Sequence, residues 1–278
     1  MAENAYQTVY RQEMIAGFEQ RQSLLRASVT TAADIKGNQA VFLVADSGGA
    51  TAVTRGSNGK IPARGDNLNQ PIVTLKEKHD LVQKTRYNIT TGQGDQRRVM
   101  QESSMTVMNR DIDAEILAEL ANATINTGAA ATGSLALVAR VRAIMATNKV
   151  DTQEIDNMFA VVSAGFMSSL LQLPTFASSD YVDVKPLAGP VRKFLRWAGF
   201  NWIEHPMLSL NTNTEFSYFY HRAAIGHAAD TEGLNTAVGY EEEQDYSYAR
   251  ASLFHGAKLL QNSGVVKVAV DSSAYAAA

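Results

Sequence analysis

At 278 residues, with 45% hydrophobic and 19% charged residues, the chain holds enough apolar material for one large core or two smaller ones, which excludes wholesale disorder. Zero cysteines exclude disulfides and thiolate metal sites and fit assembly in a reducing cytoplasm. The formal net charge of −3 conceals an asymmetry: residues 47–98 hold nine Lys or Arg against four acids, and residues 99–278 hold twelve against nineteen.

A basic segment on an acidic body suits pairing between copies of one chain, because complementary fields set register and encounter rate. A solvated loop that happens to be basic is the plainer alternative. Met1–Tyr10 has neither the basic start nor the apolar run of a signal peptide. The most apolar stretch, Met158–Leu173, contains Ser163, Ser168 and Ser169 and stops at Pro174, too short and polar for a membrane span. A soluble protein with no membrane partner is the expectation.

Tyr6, Tyr10, Met14 and Phe18 recur every fourth residue, with Leu25 near the same stripe, which predicts an amphipathic helix over about Asn4–Ala27. Strand-like Val41–Val44 and Ile72, Val73, Leu75, Leu81 and Val82 then flank a polar, glycine-studded bend from Ser47 to Pro71. A bend that long usually serves a purpose, and the reading here is an arm that lies on a neighbouring subunit. A long helix follows from Asp95, a candidate N-cap, to about Asn126, with Met105, Met108, Ile112, Ile116 and Leu120 on one stripe. Gly128–Gly133 is predicted as a flexible joint.

Ser134 is expected to cap a helix carrying Leu135, Val138, Val141, Ile144 and Met145. Met158–Val162 reads as a buried strand, Ser163 as the start of a short helix, and Pro174–Asp180 as a loop. Strands are predicted near Trp202–Ile203 and Phe216–Tyr220, then an alanine-rich helix over His221–Ala229; Val238–Glu242, a segment around Tyr248–His255 and a closing strand Val265–Val270 complete the chain. The fold class is α+β.

That order of elements resembles the major capsid proteins of tailed bacteriophages, in the fold named for phage Hong Kong ninety-seven. Phe159–Ser163 followed by Gly165–Leu171 looks like the family's strand-then-helix, and Ser178–Val182 and Gly199–Pro206 resemble the segments after it. Tyr220–His227, Tyr248–Arg250, His255–Ala257 and Gly264–Val266 are like its C-terminal return. Glu19–Gln22, Val53–Gly56 and Gly59–Pro62 resemble the opening of one capsid group.

The resemblance implies an N-terminal arm (1–28), an extended β-hairpin loop with its supporting strands (29–94), a peripheral domain with a spine helix (95–133, completed by about 245–278) and an axial domain (134–244). It also implies an icosahedral shell of pentamers and hexamers around double-stranded DNA, assembled in the host bacterial cytoplasm, with a portal as partner. Some relatives carry a scaffolding extension; here Met1 opens directly on the arm, so a separate scaffolding protein is expected. Arg11, Arg21 and Arg26 would face the genome, with non-specific DNA contact.

Subunit contacts are expected through Tyr6, Tyr10, Met14 and Phe18 as the arm's buried face. Arg55, Lys60 and Arg64 would be loop cations meeting Asp111, Glu115 and Glu119 of an adjacent copy. An encapsulin-type shell and a soluble hydrolase using His79 or His221 are the competing readings.

No catalytic constellation is expected. His221 and His227 are six apart, on opposite sides of a helix, and no His-Glu-x-x-His occurs. Glu241–Glu243 with Asp245 lacks calcium-loop spacing, and Gly92-Gln-Gly94 lacks the third glycine or the Gly-Lys-Ser/Thr of a phosphate cradle. Gly-x-Ser-x-Gly is absent as well. Metal and cofactor are expected to be none.

Overall fold

The computed structural model describes residues 22–32, 35–46, 50–63, 67–92, 95–173, 195–209, 212–230 and 234–275. Tyr6, Tyr10, Met14, Phe18, Arg64 and the loop expected at Pro174–Asp180 lie outside them. In chain order the elements begin with β1 (Thr30–Thr31), β2 (Ile35–Lys36), β3 (Gln39–Val41), β4 (Val44–Asp46), β5 (Asn67–Asn69), β6 (Ile72–Thr74) and β7 (Lys76–Thr85). Helices α1 (Arg86–Thr91), α2 (Gln96–Ala121) and α3 (Leu135–Thr147) follow, then β8 (Met158–Val162), α4 (Ala164–Leu171), β9 (Leu195–Trp197) and β10 (Phe200–Glu204). Strands β11 (Thr214–His221), β12 (Ile225–Ala229), β13 (Asn235–Glu241), β14 (Tyr246–Leu259) and β15 (Val265–Asp271) end the described chain. Two compact units divide it, one from residues 22–23 and the described parts of 77–111 and 232–254, the other from the described parts of 24–76, 112–231 and 255–278.

In the second unit, the strands flanking the polar bend form a hairpin in one register. Gln39 lies opposite Thr74 and Val41 opposite Ile72, and the same register places Val44 opposite Asn69 and Asp46 opposite Asn67. The ladder breaks between these pairs at Pro71, which has no N–H to donate; its carbonyl accepts from Phe42 N at 3.0 Å. Alternation then decides faces: Ala40, Phe42, Val44 and Val73 are buried, while Val41, Leu43 and Ile72 are exposed.

The same unit holds the five-stranded sheet β15-β11-β8-β10-β9, parallel only between β10 and β8. Every residue of β8 is buried, as its uninterrupted apolar run requires of a strand covered on both faces. Leu137, Val138, Val141 and Met145 of α3 and Phe166 and Leu170 of α4 join its core. Phe219 stands at the centre, edge-on to Phe200 at 5.1 Å and to Trp202 at 5.4 Å between ring centroids. Both predicted caps form: Ser134 Oγ accepts from Leu137 N and Ser163 Oγ from Phe166 N.

In the first unit, β7 and β13 flank the first part of β14, with α1 and the start of α2 beside them. Asp95 Oδ1 accepts from Arg98 N at 3.2 Å, so the predicted N-cap of α2 is present.

Four local expectations are corrected. The described end of the first predicted helix holds only a 3-10 turn, Arg26–Ser28, because Leu24 and Leu25 give their N–H groups to a side chain. Helix α2 stops at Ala121 rather than Asn126, where Asn122 and Ala123 bond back three residues and tighten the last turn. Gly128–Gly133 is no free joint, since Ala131 donates to Ala269 O and accepts from Asp271 N along β15. His221–Ala229 is not a helix: a 3-10 turn at Arg222–Ala224 leads into β12, paired with β1 on one side and β14 on the other. Tertiary pairing overrides alanine's helix propensity there.

Gly226 of β12 packs under the Phe42 ring; a Cβ added there would stand 2.7 Å from Cζ. Gly226→Ala is expected to cost about 1–3 kcal/mol by forcing the hairpin base off β12, read as a lower urea midpoint.

Candidate functional site

The bend closes in a tight turn at its described tip. Gly56 and Lys60 bond through Gly56 N and Lys60 O at 3.0 Å, Gly59 N donates to Gly56 O, and Asn58 Oδ1 accepts from Lys60 N. Gly59 has φ +72°, which a side-chain-free residue adopts at low cost. Arg55 Nη1 donates to Gly59 O at 3.2 Å, so Arg55 and Lys60 flank one rigid turn with their charges exposed. The structure brings these two predicted cations together.

The predicted acids stand on α2, and each serves a contact inside its own chain. Glu115 pairs with Lys76, Asp111 with Lys78 at 3.3 Å, and Glu119 Oε2 accepts from Leu259 N at 3.0 Å. A loop cation from another copy would therefore share them with the chain's own donors.

Asp113, between those acids, does something the sequence reading did not assign to it. Its carboxylate accepts from Leu24 N at 3.0 Å, from Leu25 N at 3.1 Å and from His205 Nε2 at 3.0 Å, and both side chains are wholly buried. His205 Nδ1 accepts from Met207 N, which leaves the ring proton on Nε2 facing Asp113. One residue group further on, Ser28 Oγ donates to Leu25 O at 2.7 Å, so Tyr220 OH must donate to Ser28 across 2.5 Å. Burial holds the Tyr220 phenol well above its ordinary pKa, so it keeps that proton. The chain leaving residues 24–28 is thus fixed by a carboxylate, an imidazole and a phenol.

The signal for Asp113 lay in its phase. It precedes Ile116, Leu117 and Leu120 by three, four and seven residues, so it belongs to the apolar stripe of α2. An acid on such a stripe needs donors to be buried at all.

His227 and His255 form a second buried group, with ring centroids 5.7 Å apart and Nε2 of His227 without a hydrogen-bond partner among the described residues. Burial, His255 and Arg26 together lower the His227 pKa to about 4, against a smaller opposing pull from Asp113. Among the described residues no group of three or more His, Asp or Glu is placed to hold a metal ion.

A family model described as phage capsid protein matches residues 2–272. The chain belongs to the phage capsid protein family. No curated protein matches it. Solved structures place the fold: the capsid protein is similar to a chain of Mycobacterium phage Che8, with a TM-score of 0.72 and 14% identity over 96% of this chain and 98% of that one. It is also similar to the capsid of Ralstonia phage GP4, at TM-score 0.70 and 10% identity over 97% and 96%. The holo-SrpI encapsulin complex from Synechococcus elongatus is similar at TM-score 0.67 and 10% identity, over 100% and 99%. The capsid protein therefore has the α+β fold of the Hong Kong ninety-seven type and is a structural protein of the phage capsid.

Two predictions separate buried from exposed electrostatics in this capsid protein. Asp113→Ala strands two backbone N–H groups and a buried imidazole and should cost roughly 3–5 kcal/mol, whereas Glu115→Ala, which removes a pair whose lysine is mostly exposed, should cost less than about 1 kcal/mol. Urea denaturation of the unassembled subunit measures both. For His227 the folded pKa lies below the unfolded one, so the unfolded state binds more protons below about pH 6.5 and stability falls as the pH drops from there through about 4. The full loss is about 3 kcal/mol, and His227→Phe should flatten that limb of the stability curve relative to the wild type.

Proposed function

We propose that the chain is the major capsid protein of a tailed bacteriophage, many copies of which close into an icosahedral shell around double-stranded DNA. The observation that carries this is the family match over residues 2–272. Supporting it, a single copy leaves Val53, Ile61, Leu68, Val41, Leu43 and Ile72 exposed along one hairpin, as expected of a finger that is covered only in an assembly.

In this reading residues 1–28 are the arm and 29–94 the extended loop with its strands. Residues 95–133 with about 245–278 make the peripheral domain, and 134–244 the axial domain. Tyr6, Tyr10, Met14 and Phe18 cover a neighbour, and Arg55, Lys60 and Arg64 meet acids of an adjacent copy, with Asp111, Glu115 and Glu119 as the first candidates. Pentamers and hexamers form through the axial domain, each contact modest and the closed set strong. A separate scaffolding protein and a portal take part in the host cytoplasm, and the packaged DNA is touched without sequence preference. The likeness to an encapsulin favours one second reading, a shell around protein cargo.

Electron microscopy of material in the void volume of a sizing column tests the proposal. Closed shells are expected, with nucleic acid inside the virion form; protein cargo would support the second reading, and a stable small oligomer would refute both. Changing Arg55, Lys60 and Arg64 together to Glu should abolish shells while leaving a folded subunit.

A further inference from the structure

Within the first unit, Arg86, Ile89, Thr90, Arg97, Tyr240 and Ser247 line a cleft of about 460 Å³. Its hydroxyl protons are largely committed. Thr90 Oγ1 donates to Arg86 O at 2.9 Å, and Tyr240 OH donates to the Asp245 carboxylate. The guanidiniums are not. Arg97 Nη2 makes only a long contact, 3.4 Å, to Ser247 Oγ, and no carboxylate pairs with Arg86 or Arg97 among the described residues. What the cleft offers is therefore two forked sets of N–H donors around a partly apolar floor, a geometry that suits a planar oxyanion better than a neutral ligand.

The same unit carries the complementary charge. Directly after Tyr240 come Glu241, Glu242 and Glu243, and Glu242 and Glu243 are exposed, without an ion pair among the described residues. Asp245, by contrast, is committed to Tyr240 and, through its carbonyl, to Arg86 N at 3.2 Å. One copy thus holds both halves of a salt bridge that it does not make with itself. We propose that the Arg86–Arg97 cleft is an oxyanion site that receives the carboxylates of the Glu242–Glu243 turn of a second copy of this chain. The contact is heterologous, turn of one into cleft of the next, so it propagates from copy to copy and can close into a ring.

A nucleic-acid phosphate is the rival occupant, and composition favours a carboxylate over it: residues 99–278 carry nineteen acids against twelve cations, so a neighbouring copy supplies carboxylates in excess. The proposal rests on the shell reading above.

The test has two arms. On the unassembled subunit, sodium sulfate should raise the melting temperature above sodium chloride at equal ionic strength, and Arg86→Gln with Arg97→Gln should shrink that difference to the general stabilisation that sulfate gives any folded protein; an undiminished difference overturns the oxyanion site. In assembly, Arg86→Glu with Arg97→Glu should raise the concentration needed for shells roughly tenfold or more. Glu242→Arg with Glu243→Arg should do the same, and the four changes combined should restore assembly. The double Gln variant is the milder control for folding. Normal assembly of either reversed pair, or failure of the combination to restore it, overturns the copy-to-copy contact. Normal assembly of the Gln variant with loss of retained DNA also overturns it and assigns the cleft to nucleic acid. A wild type that forms no shells sinks the shell reading instead, and the sulfate arm still judges the cleft.

Discussion

A buried carboxylate on the long helix holds the point where the chain's leading segment enters the fold. Asp113 is wholly buried, and the donors that reach it include the N–H groups of neighbouring residues 24 and 25 and the ring of residue 205, each far from Asp113 in sequence. Burying a carboxylate without hydrogen-bond donors is expensive, so the arrangement depends on keeping these donors in place. That makes it a constraint on direction. Leu25 is fully buried beneath it, Ser28 and Tyr220 extend the network, and β1 then adds to β12 in parallel.

The same constraint explains how one chain can be both rigid and incomplete. The five-stranded sheet around β8 and its helices bury their aromatics within the second unit. The hairpin bearing Arg55 and Lys60 is seated at its base by Phe42 and Val73 on β12 and β14, yet farther out it exposes an apolar edge. A seated base with an uncovered tip suits a finger whose remaining partners lie on other copies. The acids of α2 illustrate the cost of reading partners from charge alone. Lys76 and Lys78, from β7, already occupy Glu115 and Asp111.

Much of the architecture was legible in advance. The caps at Ser134, Ser163 and Asp95 were readable because N-capping is local chemistry, decided within four residues. The uninterrupted apolar run of β8 likewise announced a strand covered on both faces. Misreadings fell where distant pairing overrode local preference. Alanine-rich Ile225–Ala229 became a strand because β1 and β14 offered it ladders, and small side chains let Phe42 and Val73 approach. The end of the first predicted helix lost its pattern because Asp113 took its amides.

Composition, charge asymmetry and element order were thus enough to establish the α+β class and the likeness to phage capsid proteins, since these follow from periodicity and local turn chemistry. The roles of Asp113, His205 and His227, and the convergence of Arg86 on Arg97, were decided only by tertiary structure. Each depends on which groups, tens to hundreds of residues apart, share one water-poor space, and a buried charge takes its meaning from the donors it meets there.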